Sequence, residues 1–307
     1  MSAIFPDSFR AKKLVVGSVG CGPFGNRGNA LIERETLRLL GVGADIPKFS
    51  IFERLTEELV DHINSFDLLL ITGCTTLQDN PDHQICFDDL FRKITIPKIN
   101  FGAAFCGPTT ARPSLRVAEM FDLPIGARDP WTHDYLSRHG IKAELIGCPT
   151  LLNGPDLLDW LNGTRQRILV SSTPPLDISH LAADRVENVE LISHVAGLPG
   201  RDICEEDLFE GVTCVYTGRL HAALPALAQG IRVRFFAPSY GRSRFSLLEF
   251  LGVSLRGDSP CIFPATQIAF LKRNCANWIR GVLESVDRDC ANGLTAAEHR
   301  SDETDRA

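Results

Sequence analysis

The chain has 307 residues, of which 44% are hydrophobic and 23% charged, the composition of a soluble globular protein with room for two domains. Its net charge of −6 argues against broad nucleic-acid binding. The N-terminus lacks the apolar stretch of a signal peptide, and no apolar run is long enough to span a bilayer. We therefore expect a cytoplasmic protein, with at most peripheral contact to the inner face of the membrane.

The ten cysteines are scattered and include no C-x-x-C pair. This spacing favours reduced, buried thiols over a zinc site or a disulfide framework. Asp79, Asp82 and His83 are residue types that bind metals, but the Asn-Pro between them indicates a turn. No metal site is predicted.

In the first half of the chain, apolar segments typical of strands alternate with helical segments. The strands are predicted at residues 13–19, 66–72, 98–101, 123–127 and 142–146. A glycine-rich turn at 20–28 follows the first strand, and a helix is predicted at 29–40. A further helix at 129–139 ends at Gly140, which suits a left-handed cap. Short buried strands separated by helices predict a parallel sheet with helices on both faces.

The second half repeats this alternation after a predicted linker at 153–165, which is rich in Asn, Gly, Pro and Asp. Strands are predicted at 167–171, 189–193, 212–216 and 232–236, and helices at 243–250 and 265–286. The expected organisation is a Rossmann-like domain at 1–153, a second one at 165–290 and a frayed polar tail at 291–307. Two doubly wound domains that face each other hold ligands in the cleft at the carboxyl ends of their strands.

The segment after the strand at 212–216 carries the strongest indication of chemistry. Arg219 and His221 lie two residues apart where that strand gives way to a helix of small residues. A helix N-terminus attracts anions. Arginine adds a charged fork for phosphate or carboxylate, and histidine adds a proton carrier near neutral pH. The pattern predicts a site that binds a phosphorylated donor beside an acid–base group.

Four ordered segments make the chain resemble the polysaccharide pyruvyl transferase family. Residues 22–29 stand at the family's N-x-G-D turn, 127–140 at its R-D…L…G segment, 218–230 at its R-L-H-A signature and 240–252 at its closing segment. The chain departs from the pattern at Asn29, which replaces an Asp, and at 72–76 and 147–150, where a glycine run and an Asp are usual. The family's Lys after the tyrosine is also absent, and Arg242 and Arg244 lie nearby as substitutes.

The resemblance implies two Rossmann-like domains of the GT-B type. It also implies transfer of a pyruvyl group from phosphoenolpyruvate to a sugar of an exopolysaccharide or cell-surface glycan, forming a ketal. The partners would be phosphoenolpyruvate, as donor substrate rather than cofactor, and an oligosaccharide or lipid-linked glycan acceptor on the side of the first domain. No other cofactor and no nucleic acid are implied.

Carried over residue by residue, the resemblance makes His221 the principal acid–base residue. Arg219 and Arg128 would hold the anionic groups of the donor, and Asn26 and Gly28 would shape the turn against the ligand. Asp129 is a second catalytic candidate, although Pro130 after it favours a helix N-cap, a role compatible with catalysis. Arg232, Arg234, Arg242 and Arg244 form a basic stretch, either a solvated face or a contact to phosphate; Arg244 is included among the substrate-binding residues.

Three other interpretations stay open. One is a GT-B glycosyltransferase that uses a nucleotide sugar, with Arg219 on the diphosphate. Another is an inactive glycan-binding or scaffolding relative, suggested by Asn29 and the missing glycines. Residues 20–25 also match the dinucleotide-binding pattern G-x-G-x-x-G, a single weak motif here. Hydrolase and P-loop motifs are absent from the sequence.

Overall fold

The computed structural model describes residues 12–20, 25–43, 45–73, 77, 89–105, 115–153, 167–171, 188–238, 242–257, 259–261 and 263–304. The strands of the first half are β1 (Leu14–Ser18), β2 (Lys48–Ser50), β3 (Leu68–Thr72), β4 (Lys98–Ala103), β5 (Ile125–Ala127) and β6 (Ala143–Leu145). The helices of the first half are α1 (Arg27–Leu40), α2 (Glu57–Asn64), α3 (Leu115–Ala118), α4 (Pro130–Arg138) and α5 (Pro149–Leu152), with a 3₁₀ turn at Asp89–Lys93.

The strands of the second half are β7 (Arg167–Ser171), β8 (Val189–Ser193), β9 (Arg201–Asp202), β10 (Val212–Thr217) and β11 (Arg232–Phe235). The helix α6 (Leu220–Ala228) lies between the last two strands, and a 3₁₀ turn at Arg242–Phe245 leads into α7 (Ser246–Phe250). The long helix α8 (Ala265–Thr304) ends the described chain.

Both halves contain a parallel sheet. The first sheet has the strand order β2-β1-β3-β4-β5-β6, and the second has the order β11-β10-β7-β8-β9. All the strand pairs within these two sheets are parallel. The strand order reverses between β1 and β3 in the first sheet and between β7 and β10 in the second, so each unit is doubly wound. The predicted fold class, α/β with two Rossmann-like doubly wound units, is confirmed.

Burial explains why these segments form central strands. All five residues of β3 are buried, as expected for a strand covered by helices on both faces. One large apolar cluster includes residues of both sheets and of α1, α5, α6 and α8, so a shared core joins the halves. A second cluster, on α2 and the neighbouring segments, covers the other face of the first sheet.

Several elements differ from the sequence-based expectations. The short strands β2 and β9 and the helices α2, α3 and α5 were not predicted. The helix α1 begins at Arg27 rather than at residue 29, because the Asn26 side chain accepts a hydrogen bond from the Gly28 N–H and caps the helix there. Gly28 therefore lies in the first helical turn and not in the preceding loop, a correction to the predicted turn at 20–28.

The last helix differs from the prediction in length and in its packing partner. Its backbone stays helical to Thr304, beyond the predicted end at residue 286, because residues 287–304 contain no proline and several good helix formers. The Trp278 Nε1–H donates to the Pro124 carbonyl at 2.9 Å, and the Trp278 ring lies edge-on to Phe101. The last helix thus packs against the first sheet. The predicted domain boundaries are otherwise untested.

Within the described part of the chain, no helix combines the length and the apolar character required to cross a membrane.

Candidate functional site

The N-terminus of α1 follows β1 at the point where the first sheet reverses its strand order. Asn26 occupies the N-cap position, and its Oδ1 accepts from the Gly28 N–H at 3.1 Å. The Asn26 Nδ2 donates to Asn29 Oδ1 at 3.2 Å. Asn29, which stands where the family has an Asp, is therefore a neutral acceptor that holds the cap in place.

The N-terminus of α6 follows β10 at the corresponding point of the second sheet. Arg219 is at the N-cap position and makes no side-chain cap, while its N–H donates to Thr217 Oγ1 at 2.8 Å. A Cβ atom added to Gly28 would lie 2.7 Å from Nδ1 of His221. The imidazole of α6 therefore packs directly on the first turn of α1, and only glycine leaves room for it.

The chain after β8 also joins the first turn of α1. The Arg27 N–H donates to the carbonyl of His194 at 2.9 Å, and Asn26 forms an antiparallel bridge with Val195. The Arg27 guanidinium pairs with Asp202 at 2.6 Å. These contacts hold the start of α1 between β8 and α6, so a helix of the first half is enclosed by elements of the second.

A second junction joins α4 to α7. Asp129 caps α4, because its Oδ1 accepts from the Thr132 N–H at 2.9 Å, and the same oxygen accepts from Ser246 Oγ at 2.9 Å. Arg128 precedes this aspartate and Arg244 precedes this serine by two residues. The bond between Asp129 and Ser246 therefore brings together the two chain segments that carry Arg128 and Arg244, one from each half of the chain.

Positive charge gathers around His221. Burial lowers the pKa of this imidazole well below its ordinary value, and Arg128, Arg244, His194 and Arg219 lower it further, in that order. Arg128 is only 1% exposed and His221 8%, so the charges act across little water. We call Arg128, Arg219, Arg244, His194 and His221 the cationic cluster.

Both histidines of the cationic cluster have a ring nitrogen, Nε2, that is buried without a hydrogen bond to any residue that the structure describes. A buried polar atom left in this state costs free energy, so it indicates a place where a ligand or water completes the bonding.

The pKa of Asp129 is shifted in the opposite direction to that of His221. Burial raises the pKa of its carboxyl group, while Arg128 and the hydrogen bonds from Thr132 and Ser246 lower it. The Arg128 Nη2 is 3.4 Å from Asp129 Oδ2. The geometry gives Asp129 a capping and positioning role; its predicted catalytic role stays a prediction.

The structure brings most of the predicted site residues together. Three arginines, Arg128, Arg219 and Arg244, all lower the pKa of the His221 imidazole. Gly28 packs against the same imidazole. Asn26 is not a member of the cationic cluster; it caps α1, the helix on which the His221 ring packs. His194 was missed: a single histidine in a segment without motif residues gives no sequence pattern, although it directly follows a strand.

The remaining sequence-based expectations concern the basic stretch, the metal site and the cysteines. The Arg234 guanidinium lies 5.8 Å from the centre of the Tyr216 ring, a packing role, and Arg232 is exposed. Residues 22–24, 79–83 and Tyr240 lie outside the described residues. Among the residues that are described, no three His, Cys, Asp or Glu side chains gather as a metal site would require. Cys148, Cys204, Cys214, Cys261 and Cys275 carry thiols, and all but Cys204 are buried.

A cavity of about 450 Å³ lies along the flanks of α1 and α6, away from their N-termini. Arg34, Arg38, Glu205 and Glu206 line it together with Pro225. Because its charges are mixed and it contains no member of the cationic cluster, the cavity is separate from the candidate site.

Comparison with solved structures finds distant similarity over nearly the whole chain. A complex of MnaA from S. aureus with UDP is 10% identical over 86% of this chain and 90% of that one, with a TM-score of 0.47. An uncharacterized protein from Klebsiella pneumoniae is 16% identical over 81% and 93%, with a TM-score of 0.45. The glycosyltransferase SnogD from Streptomyces nogalater is 14% identical over 92% and 98%, with a TM-score of 0.40. No curated protein matches the sequence.

Comparison with protein families gives a more specific result. Residues 26–197 match the polysaccharide pyruvyl transferase family. The match covers more than half of the chain and includes Asn26, Gly28, Arg128 and Asp129; Arg219 and His221 lie beyond it. The chain therefore belongs to the polysaccharide pyruvyl transferase family.

Proposed function

We propose that the protein transfers a pyruvyl group from phosphoenolpyruvate to two hydroxyls of a glycan, forming a ketal. The observation that carries the proposal is the buried imidazole of His221 among three arginines that come from both halves of the chain. Guanidinium groups bind phosphate and carboxylate through charge-assisted hydrogen bonds, and phosphoenolpyruvate carries one of each group.

The chemistry of the donor matches the residue types of the cationic cluster. Arg219, at the N-terminus of α6, is suited to the phosphate because the helix N–H groups and dipole add to its charge. Arg128 and Arg244 are suited to the carboxylate and to the charge that develops as the phosphate leaves. His221 would donate the proton that converts the methylene carbon of the donor into a methyl group.

The electrostatics of the cationic cluster give the donor a second role. Burial and then Arg128 hold the pKa of His221 low, so the imidazole is neutral at pH 7. A bound phosphate and carboxylate offset the arginine charges and raise that pKa again. Donor binding would therefore be accompanied by proton uptake, which charges the acid only when its substrate is present.

Other roles follow from the same geometry. Asn26 and Gly28 would hold the first turn of α1 against His221, and Asp129 would position Arg128 and Arg244. We place the reaction in the cytoplasm, with an exopolysaccharide or cell-surface oligosaccharide as acceptor, free or linked to a lipid at the inner face of the membrane. No cofactor beyond the donor substrate is proposed.

Calorimetric titration tests the donor assignment. The purified protein is titrated with phosphoenolpyruvate, with UDP-, GDP- and CMP-sugars and with NAD, and the titrations are repeated with Arg219→Ala. The matched control is Arg232→Ala, since Arg232 is exposed at the amino end of β11, whereas the N-terminus of α6 lies next to the carboxyl end of that strand. We expect phosphoenolpyruvate binding that weakens about 100-fold in Arg219→Ala and is unchanged in Arg232→Ala. Binding of a nucleotide sugar alone would move the protein to the glycosyltransferases.

A further inference from the structure

A second histidine meets the same helix turn as His221. The carbonyl of His194 accepts from the N–H of Arg27, the first residue of α1, and the His221 ring packs on Gly28, the second residue. The two histidines thus contact successive residues of one helix turn, from two different elements of the second half. Neither contact could be foreseen from their separation along the chain.

His194 is as enclosed as His221. Its side chain is 2% exposed, and its Nε2 makes no hydrogen bond to any residue in the described part of the chain. Burial, and then the charge of Arg219, lower the pKa of this imidazole to about 3, while Asp202 raises it. The groups that act on His194 therefore include the arginine at the start of α6, and His194 in turn acts on His221.

The proposed reaction needs two proton carriers. When a hydroxyl oxygen bonds to C2 of the donor, that hydroxyl loses a proton and C3 gains one in the same addition. When the second hydroxyl oxygen bonds to C2, the bond from C2 to the phosphate oxygen breaks, and the second hydroxyl proton leaves with the phosphate. One imidazole cannot donate to C3 and accept from the acceptor at the same moment.

We propose that His194 is the base of the site: its Nε2 takes the proton of the first acceptor hydroxyl while His221 delivers a proton to C3 of the donor. The inference rests on the proposed function. After the addition His194 is charged and His221 neutral, and exchange with solvent restores both before the next cycle. His194 stays neutral because it is buried and lies close to Arg219, and this suits the role because a charged imidazole could not accept a proton.

The test is a ¹⁵N NMR titration of histidine-labelled protein with phosphoenolpyruvate alone, which needs no acceptor. His194→Gln and His221→Gln identify the two Nε2 resonances, and His194→Asn serves if the glutamine variant fails to fold. His62→Gln is the matched control, since His62 is exposed on α2. We expect the Nε2 resonance of His221 to move to the position of a protonated imidazole. The Nε2 resonance of His194 should move as well but stay in the range of an unprotonated ring.

The outcomes separate the inference from the proposed function. If His221 responds and His194 does not move, or if His194 becomes protonated with the donor bound, the base assignment is wrong while the donor assignment stands. If calorimetry and NMR both show no response to phosphoenolpyruvate, the proposed function fails and the inference fails with it. Movement of both resonances with only His221 protonated supports both.

Discussion

The N-termini of α1 and α6 occupy equivalent places in the two sheets but differ in charge. The start of α1 is neutral and closed, because Asn26 caps it and the charge of Arg27 is paired with Asp202. The start of α6 carries Arg219 and His221 and has no side-chain cap. The same strand-to-helix geometry therefore serves as a support in one half and, in the function that we propose, as an anion site in the other.

Asn29 belongs to the neutral side of this comparison. An aspartate at this position would place a negative charge in the first turn of α1, whereas Asn29 is neutral and accepts a hydrogen bond from Asn26. The charge chemistry of the site is instead concentrated on α6 and on the junction between Asp129 and Ser246. Each of the following changes affects one side of this contrast.

The largest effect is expected from His221→Gln, which removes the proton carrier of α6. Transfer, measured as phosphate release from phosphoenolpyruvate with a panel of methyl glycosides as acceptors, should fall by about 10²–10⁴-fold. The donor affinity should stay within about threefold, since the arginines are intact. Unchanged turnover in a folded His221→Gln protein would remove His221 from the mechanism.

Gly28→Ala tests the support provided by α1. The new methyl group would meet Nδ1 of His221 at 2.7 Å, so the imidazole must move, and we expect a loss of transfer of about 10-fold or more and of stability by about 1–3 kcal/mol. Gly281→Ala is the control, because nothing lies within 4 Å of the added atom in α8. It should stabilise the protein by about 0.5–1 kcal/mol. Equal effects of the two substitutions, measured by urea unfolding, would contradict the contact.

Ser246→Ala tests the junction that positions the arginines. Loss of its hydrogen bond to Asp129 should lower the free energy of unfolding by about 1 kcal/mol. Donor affinity, measured by calorimetry, should fall severalfold because Arg128 and Arg244 lose their common anchor. Ser285→Ala is a matched control, since Ser285 Oγ donates to the Gly281 carbonyl and accepts from Arg288, both within α8. If Ser246→Ala binds the donor as tightly as this control, the junction does not position the arginines.

The smallest effect concerns stability against acid. His194 and His221 have pKa values below the ordinary 6.5 through burial, and then through Arg219 and Arg128 respectively. The unfolded chain therefore binds protons below pH 6.5 that the folded chain does not, and stability falls as pH falls from 6.5 towards 3. Asp129, with a raised pKa, acts in the opposite sense.

Urea unfolding at pH 7.5 and 5.5 measures this dependence. Each histidine should contribute a loss of roughly 1 kcal/mol over this interval, and His194→Gln should remove its share. An equal loss in the wild type and in His194→Gln would show that His194 is protonated in the folded protein.

Sequence reasoning reached those parts of the site that depend on local chain order. The sequence predicts the places of Arg219 and His221 because they lie at a strand-to-helix junction. It predicts the cap at Asp129 because Pro130 follows. In both cases short-range geometry fixes where the residues lie. The helix α2 could also be predicted from local order, since Thr56 caps it, but it was missed. The early start of α1 was misread because Gly28 resembles a turn residue.

The rest of the site depends on long-range contacts. His194 joins the cationic cluster because its carbonyl bonds to Arg27, 167 positions earlier in the chain. The positioning role of Asp129 depends on Ser246, 117 residues later. The return of α8 to the first sheet depends on Trp278 meeting Phe101. Local patterns contain no information on such pairings.

The most direct test of the central claim is a crystal structure of the protein with phosphoenolpyruvate. We predict that the donor lies between the first turns of α1 and α6, with its anionic groups within hydrogen-bond distance of Arg219 and Arg128 and its C3 next to Nε2 of His221. A donor bound elsewhere, or bound with His221 turned away from it, would contradict the account.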